Sequence, residues 1–108
     1  MSTIAYGHPD TMPENTDCVV SLDRNVKPKG MKNQTRIVRH IPNPYRGKGK
    51  PIDMSVVNMS EVWKTADMIV TLYESDKRVF VHCRFGKDRT GLVMRCVKNM
   101  IAKRGNKK

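Results

Sequence analysis

The chain has 108 residues, a formal net charge of +11 and three cysteines. This length allows one domain with one core, so the sequence predicts a single compact domain over residues 1–108. No apolar run approaches the roughly 18 residues of a membrane span and no basic-then-apolar signal pattern opens the chain, which predicts a soluble protein of the cytoplasm. An odd number of cysteines without Cys-x2-Cys spacing indicates neither a disulfide framework nor a zinc site.

Charge is distributed unevenly along the sequence. Residues 1–23 contain four acidic residues and no lysine or arginine, whereas residues 24–50 contain nine basic residues and no acidic one. A surface of that sign concentrates anionic substrates. A solvated basic surface that only keeps a small protein in solution explains the same run equally well.

The chain alternates short apolar runs with longer periodic segments. Four runs are predicted to be strands: 3–6, 18–22, 36–41 and 78–82. A turn follows the first strand at 7–10, and proline and glycine predict a loop over 23–34. If the strands are parallel, their carboxyl ends share the edge of the sheet at which α/β folds bind ligands, so Asp23 and His40 are expected to lie at that edge.

Two helices are predicted in the second half of the chain. After a flexible basic connection over residues 42–52, the first helix begins near Ser60, which is expected to be its N-cap. Its apolar face contains Val62, Ala66, Ile69 and Tyr73. The apolar face of the last helix contains Leu92, Val93, Cys96, Val97, Met100 and Ile101. Residues 103–108 are expected to be a frayed basic tail.

The stretch from Val79 to Gly91 carries the clearest functional pattern. A strand, a turn containing Gly86 and a helix follow one another, and a loop at a helix N-terminus binds an oxyanion through its unpaired N–H groups. Cys83 and Arg89 lie six positions apart across this loop. The potential that holds a phosphate also stabilises a thiolate, so a depressed pKa is expected for Cys83. The planar guanidinium of Arg89 can bind two oxygens of a phosphate.

A Cys-x5-Arg spacing alone arises by chance roughly one time in four in this composition, so the surrounding residues matter. The run from His82 to Gly91, of the form HCxxGKDRTG, resembles the signature loop of the cysteine-dependent phosphatases, and its second half is similar to the dual-specificity-like branch. The resemblance implies an α/β domain with a largely parallel sheet of about four strands flanked by helices. It also implies a phosphocysteine formed on Cys83, phosphate binding by Arg89 and assistance from Thr90 as the thiolate leaves.

Cleavage of a phosphate monoester also needs an acid for the leaving oxygen. In the dual-specificity branch this is an aspartate on a loop upstream of the cysteine, and the resemblance assigns that role to Asp53. An ordinary loop carboxylate is the alternative for Asp53, and Asp23 is the rival acid. Asp67 lies within the predicted helix and points away.

The remaining loop residues receive supporting roles. His82 is expected to orient the loop and to help lower the thiol pKa. The residues expected to contact substrate are Arg84, Phe85, Gly86, Lys87 and Asp88, and Asp88 is also expected to brace loop amides or Arg89. Cys18 and Cys96 are expected in the core, although a redox partnership with Cys83 is an alternative.

The leading hypothesis is a metal-free and cofactor-free phosphatase that acts on phosphotyrosine, and on phosphoserine or phosphothreonine as further substrates, of phosphorylated proteins. The basic residues Arg84 and Lys87 resemble those of tensin-related lipid phosphatases, so phosphoinositides and RNA 5′-phosphates are alternative substrates for the same mechanism. A binding module that holds phosphate or nucleic acid without turnover is a third hypothesis.

Overall fold

A four-stranded parallel sheet forms the centre of the molecule, a computed structural model that describes residues 2–105. Its strands, β1 to β4 in chain order, are Thr3–Tyr6, Cys18–Ser21, Thr35–Val38 and Arg78–His82. Their spatial order is β1-β4-β2-β3 and every pair is parallel. The predicted fold class, an α/β domain with a four-stranded parallel sheet, is confirmed.

Two helices pack on one face of this sheet: α1 is Met59–Glu74 and α2 is Asp88–Gly105. They bury one continuous core against alternate residues of the central strands, since Val20 on β2 and Val79 and Val81 on β4 join the same apolar cluster. The alternation follows from the pleat, which turns successive side chains to opposite faces. The core also reaches Cys83, directly beyond β4.

The other face of the sheet is covered by connecting segments. Phe80 and His82 of β4 lie on this face and are fully buried, with their rings stacked 6.0 Å apart. Right-handed crossovers place the β1–β2 and β2–β3 connections there, and Lys29 N–H donates to Pro9 O at 3.1 Å, which joins the two connections. The predicted loop over 23–34 is confirmed, since no helix or strand forms in it.

Two local expectations from the sequence differ from the structure. The N-cap of α1 is Asn58 rather than Ser60, because the Asn58 side chain accepts hydrogen bonds from the backbone N–H groups of Ser60 and Glu61. The third strand begins at Thr35 and ends at Val38, so its end lies three residues earlier than predicted.

Within residues 2–105, no helix combines the length and the apolar character that crossing a membrane requires.

Residues 103–105 of the predicted tail form the last turn of α2. The guanidinium of Arg104 binds Asp67 and Glu74 on α1 and so connects this last turn to the neighbouring helix. Residues 106–108, the rest of the predicted tail, lie outside the described residues.

Parallel pairing brings the carboxyl ends of all four strands to one edge of the sheet. In the register, Ser21 on β2 pairs with His82 on β4. Leu22 N–H donates to His82 O at 2.8 Å, so the two strands stay paired up to the point where each gives way to a loop. Asp23 and Cys83 therefore emerge side by side at this edge.

Candidate active site

The loop of residues 83–87 joins β4 to α2 at this edge of the sheet. Lys87 O accepts the first helical hydrogen bond of α2, from Gly91 N–H at 2.7 Å. The N–H groups of Phe85 and Gly86, which precede it in the loop, have no such helical acceptor and act instead on the Cys83 sulfur. The backbone therefore provides several donors, together with the positive end of the helix dipole, around one point.

Gly86 shapes the middle of this loop. Its φ is +72°, in the left-handed region that favours glycine. A Cβ at this position would lie 2.0 Å from the carbonyl carbon of Gly7 and 2.3 Å from the nitrogen of His8. The turn after β1 therefore presses directly against the loop, and only a residue without a side chain fits between them.

The sulfur of Cys83 lies at the base of the loop in a buried position, with 3% of the residue exposed. Burial raises the pKa of this thiol, but the nearby Thr90 hydroxyl and the backbone N–H groups of Thr90, Gly86 and Phe85 outweigh that effect. The net result is a pKa below the ordinary value. The surroundings of Cys83 thus stabilise a thiolate, the nucleophilic form of the side chain.

Thr90 is fully buried in the first turn of α2. Its hydroxyl has no hydrogen-bond partner among residues 2–105, and its proximity lowers the pKa of the Cys83 thiol. A buried hydroxyl without another partner is a donor held ready for a developing negative charge. This arrangement suits the role that the sequence predicts for Thr90.

Arg89 is held by two groups from the segments that follow β2 and β3. Its Nη2 donates to Asp23 Oδ2 at 3.0 Å and its Nη1 donates to Ile41 O at 2.9 Å. Both Arg89 and Asp23 are almost completely buried. These two contacts take two of the five N–H donors of the guanidinium and fix its plane, so the other donors are available to an anion.

Asp23 is placed to hold Arg89 rather than to protonate a leaving group. Burial raises the pKa of its carboxyl, but hydrogen bonds from Asn25 N–H and Arg89 outweigh that effect and lower it below the ordinary value. Arg84 adds a second cation at 3.6 Å from Oδ2. A carboxylate kept ionised by two arginines is a poor proton donor, so Asp23 is unsuited to the acid role for which it was the rival.

His82 contacts the backbone of the nucleophile and not its sulfur. Its Nδ1 lies 3.0 Å from Cys83 O and its Nε2 lies 2.7 Å from Ser21 Oγ. Burial lowers the pKa of the ring, so His82 is neutral at neutral pH. The predicted orienting role agrees with this geometry, and any effect on the thiol passes through the Cys83 peptide group.

Asp53 lies outside the loop and is engaged elsewhere. Its carboxylate accepts hydrogen bonds from the hydroxyl and N–H of Ser55, and Oδ2 lies 3.5 Å from Arg46 Nη2. The Ser55 hydroxyl, the Ser55 N–H and the Arg46 charge hold its pKa below the usual range despite partial burial. In this conformation Asp53 is an ionised cap of the turn Met54–Val56.

The remaining loop side chains face solvent. Arg84, Phe85 and Lys87 are exposed, Phe85 at 62%, so they can contact a substrate above the loop. Asp88 is also exposed and opens α2. The Arg89 guanidinium is braced by Asp23 and Ile41 rather than by Asp88, so that part of the expectation for Asp88 is wrong.

The other two cysteines are core residues, as predicted. Cys18 and Cys96 are buried, and burial raises the pKa of each thiol. All three cysteines are free, so no disulfide joins either of them to Cys83.

Three functional contacts escaped the sequence reasoning. Neither the Ile41 carbonyl beneath Arg89 nor the chain from Arg36 through Ser21 to His82 was predicted. Asp23 was placed at the correct edge, but as a rival acid and not as the arginine's partner. The only available signal was that parallel strands end together at this edge.

A comparison with known protein families finds a match, which covers most of the chain. The family model described as "Tyrosine phosphatase family" matches residues 14–102. No curated protein and no solved structure is significantly similar to the chain. The matched range includes the cysteine loop, Asp23, Asp53 and both helices up to residue 102, and it excludes β1 and the turn that presses on Gly86.

Proposed function

The chain belongs to the tyrosine phosphatase family and is a phosphatase; from that premise we propose that it hydrolyses phosphotyrosine on proteins through a phosphocysteine intermediate. Phosphoserine and phosphothreonine are further proposed substrates. One observation carries the proposal: the buried Cys83 thiol, whose pKa the loop N–H groups and Thr90 lower, shares one edge of the sheet with a buried Arg89 whose guanidinium is fixed by Asp23. A thiolate, an oxyanion cradle and a fixed guanidinium together suit phosphoryl transfer.

The proposed reaction has two steps that use these groups in turn. The Cys83 thiolate attacks phosphorus and forms an S–P bond while the bond to the ester oxygen breaks. Loop N–H groups and Arg89 bind the three equatorial oxygens, and Asp53 gives its proton to the departing oxygen. Water then attacks phosphorus, Asp53 takes a proton back, and the S–P bond breaks. The Thr90 hydroxyl donates to the thiolate that leaves.

The acid role of Asp53 requires a change from the conformation described above. With Ser55 and Arg46 as partners its carboxyl is ionised at neutral pH. A dianionic phosphate that draws Arg46 away, and places its ester oxygen beside Asp53, raises the carboxyl pKa and makes the proton available. We therefore propose that the segment around Asp53 moves when substrate binds.

Exposed cations on the loop favour a second candidate. Lys87 and Arg84 carry positive charge at the rim, and Arg84 remains half exposed although it lies near Asp23. A phosphoinositide headgroup or an RNA 5′-phosphate would place further anionic groups beside these side chains. The chemistry at Cys83 would be unchanged.

A substrate panel at fixed ionic strength separates these possibilities. We expect turnover of a phosphotyrosine peptide and of an aryl phosphate, both lost in Cys83→Ser, while phosphate binding is retained. Lys87→Ala should lower activity on a short-chain phosphoinositide or a 5′-phosphorylated RNA more than on the aryl phosphate. Preferential turnover of either polyanion would select the second candidate. Turnover of every ester by Cys83→Ser at the wild-type rate would refute the proposed mechanism.

A further inference from the structure

Arg36 is a half-buried arginine in the middle of β3, and it makes three hydrogen bonds to neighbouring elements. Its Nε donates to Ser21 Oγ on β2 at 3.0 Å. Its Nη2 donates to Val26 O at 2.9 Å and to Arg24 O at 3.4 Å. A single rigid guanidinium therefore ties the end of β2 to the loop that follows it.

The first connection leads to the nucleophile. Cys83 O can only accept a hydrogen bond, so the neutral His82 ring carries its hydrogen on Nδ1. Nε2 then accepts from the Ser21 hydroxyl, and the Ser21 oxygen accepts from Arg36. Every donor direction in this buried chain is fixed by the permanently charged arginine at its end.

These hydrogen bonds also orient the peptide group that follows Cys83. In a trans peptide the carbonyl and the following N–H point in opposite directions. Because His82 holds the Cys83 carbonyl, the N–H of Arg84 is turned the other way. The orientation of the first amide after Cys83 thus depends on a side chain that lies two strands away in the sheet.

The second connection leads to the phosphate-binding arginine. Arg36 holds the carbonyls of residues 24 and 26, and Asn25 N–H between them donates to Asp23 Oδ1 at 2.9 Å. The other carboxylate oxygen of Asp23 binds Arg89. Fixing the 24–26 segment therefore fixes the carboxylate that sets the plane of the Arg89 guanidinium.

We propose that Arg36 is a positioning residue that aligns the Cys83 peptide, through Ser21 and His82, and Arg89, through residues 23–26, in one rigid arrangement. The inference rests on the proposed function where it concerns turnover, because misaligned catalytic groups slow the reaction only if the protein is a phosphatase of this mechanism. The proposal gives a structural role to one of the basic residues in the segment 24–50. The charged groups that act on the His82 ring are Arg36 and Asp23.

The test measures the thiolate directly. Iodoacetamide labelling of Cys83 is followed against pH by mass spectrometry of the Cys83 peptide, which separates it from the buried Cys18 and Cys96. We expect the labelling midpoint to rise by about one unit in Ser21→Ala and in Arg36→Met. Ser21→Thr, which keeps the hydroxyl, should restore the wild-type midpoint.

Arg36→Met should have a second effect that Ser21→Ala lacks. Loss of the hold on residues 24–26 frees Arg89, so protection of Cys83 by inorganic phosphate should weaken by about tenfold or more. Arg95→Met is the matched control. Arg95 is an exposed residue of α2, and its substitution removes the same charge as Arg36→Met. It should leave both the labelling midpoint and the phosphate protection unchanged.

Arg36→Lys tests the same role of Arg36 if the methionine variant does not fold. Lysine keeps the charge but cannot reach both Ser21 and Val26 with a planar fork, so the midpoint or the phosphate protection should change in a folded protein. A thermal unfolding curve confirms that each variant is folded. The proposal would be overturned if three folded variants, Ser21→Ala, Arg36→Met and Arg36→Lys, kept the wild-type labelling midpoint and phosphate protection. A lower melting temperature in these variants would not change that conclusion.

These readouts do not depend on turnover. If the wild-type protein hydrolyses no ester, the proposed function fails, while the labelling midpoints and phosphate protection still decide the role of Arg36. If turnover is found and the midpoints are insensitive to Arg36 and Ser21, only the positioning role fails.

Discussion

Replacing Asp23 with asparagine removes one charge from the buried pair with Arg89. Both side chains are at most 5% exposed and the two atoms lie 3.0 Å apart. Breaking a buried ion pair from one side costs about 3–5 kcal/mol, because the other charge stays buried without its partner. That is a large part of the roughly 5–15 kcal/mol by which a domain is stable. We expect Asp23→Asn to lower the melting temperature by about 10 °C or more.

The assay is denaturant unfolding of the wild type and Asp23→Asn at several pH values. The folded pKa of Asp23 is depressed, so its contribution is fully present above the unfolded pKa of about 3.9 and is lost as pH falls through the folded value. The difference between the two proteins should therefore be large at neutral pH and shrink below about pH 4.

Asp17→Asn is the matched control. Asp17 also binds an arginine, Arg78, at 3.2 Å, but both side chains are well exposed. Its loss should cost clearly less than that of Asp23. A cost for Asp23→Asn below about 1 kcal/mol, the range of surface pairs, would refute the reasoning that burial makes this pair essential.

Three further variants probe single groups of the site. Gly86→Ala should destabilise the protein by about 2–5 kcal/mol in denaturant unfolding, since left-handed strain adds to a backbone clash. Ser55→Ala should move the descending limb of the pH profile of kcat/KM to higher pH, because loss of the hydroxyl raises the pKa of Asp53. Thr90→Val should raise the labelling midpoint of Cys83 and lower kcat about tenfold or more, with little change in stability.

Each of these variants has a control elsewhere in the chain. Gly49→Ala has a φ of +79° but open space around the new Cβ, so the excess cost at Gly86 measures the clash. Ser60→Ala should leave the pH profile unchanged, and Thr71→Val should leave kcat unchanged. An equal loss of stability in Gly86→Ala and Gly49→Ala would contradict the clash at Gly86. A descending limb of the pH profile that does not move in Ser55→Ala would contradict the contact with Asp53, and wild-type turnover in Thr90→Val would contradict the role of the Thr90 hydroxyl.

Local pattern was enough to predict the sheet and the loop. The β-branched runs around Val20 and Val81 predict strands because buried parallel strands need apolar side chains on both faces. The cysteine loop was predicted from its residue types and its position between a strand and a helix. Parallel strand ends also placed Asp23 correctly at the active edge.

Contacts between distant segments were not predictable in the same way. Asn58 and Ser60 are both good N-caps, and only the backbone conformation decides between them. Arg36 looked like one more base in a basic run, because its partners on β2 and in the following loop are brought to it by strand pairing. The approach of Gly7 to Gly86 is a contact of backbone with backbone, which side-chain patterns do not encode.

The central claim is that Cys83 carries the phosphoryl group during turnover. The most direct measurement is mass spectrometry of Asp53→Ala, quenched in acid during turnover of an aryl phosphate, whose leaving group needs little protonation. Without Asp53 to activate water the intermediate should accumulate, and the peptide containing Cys83 should carry one phosphoryl group. Rapid turnover by this variant with no label on Cys83, or an equal label in the Asp53→Ala, Cys83→Ser double variant, would contradict the claim.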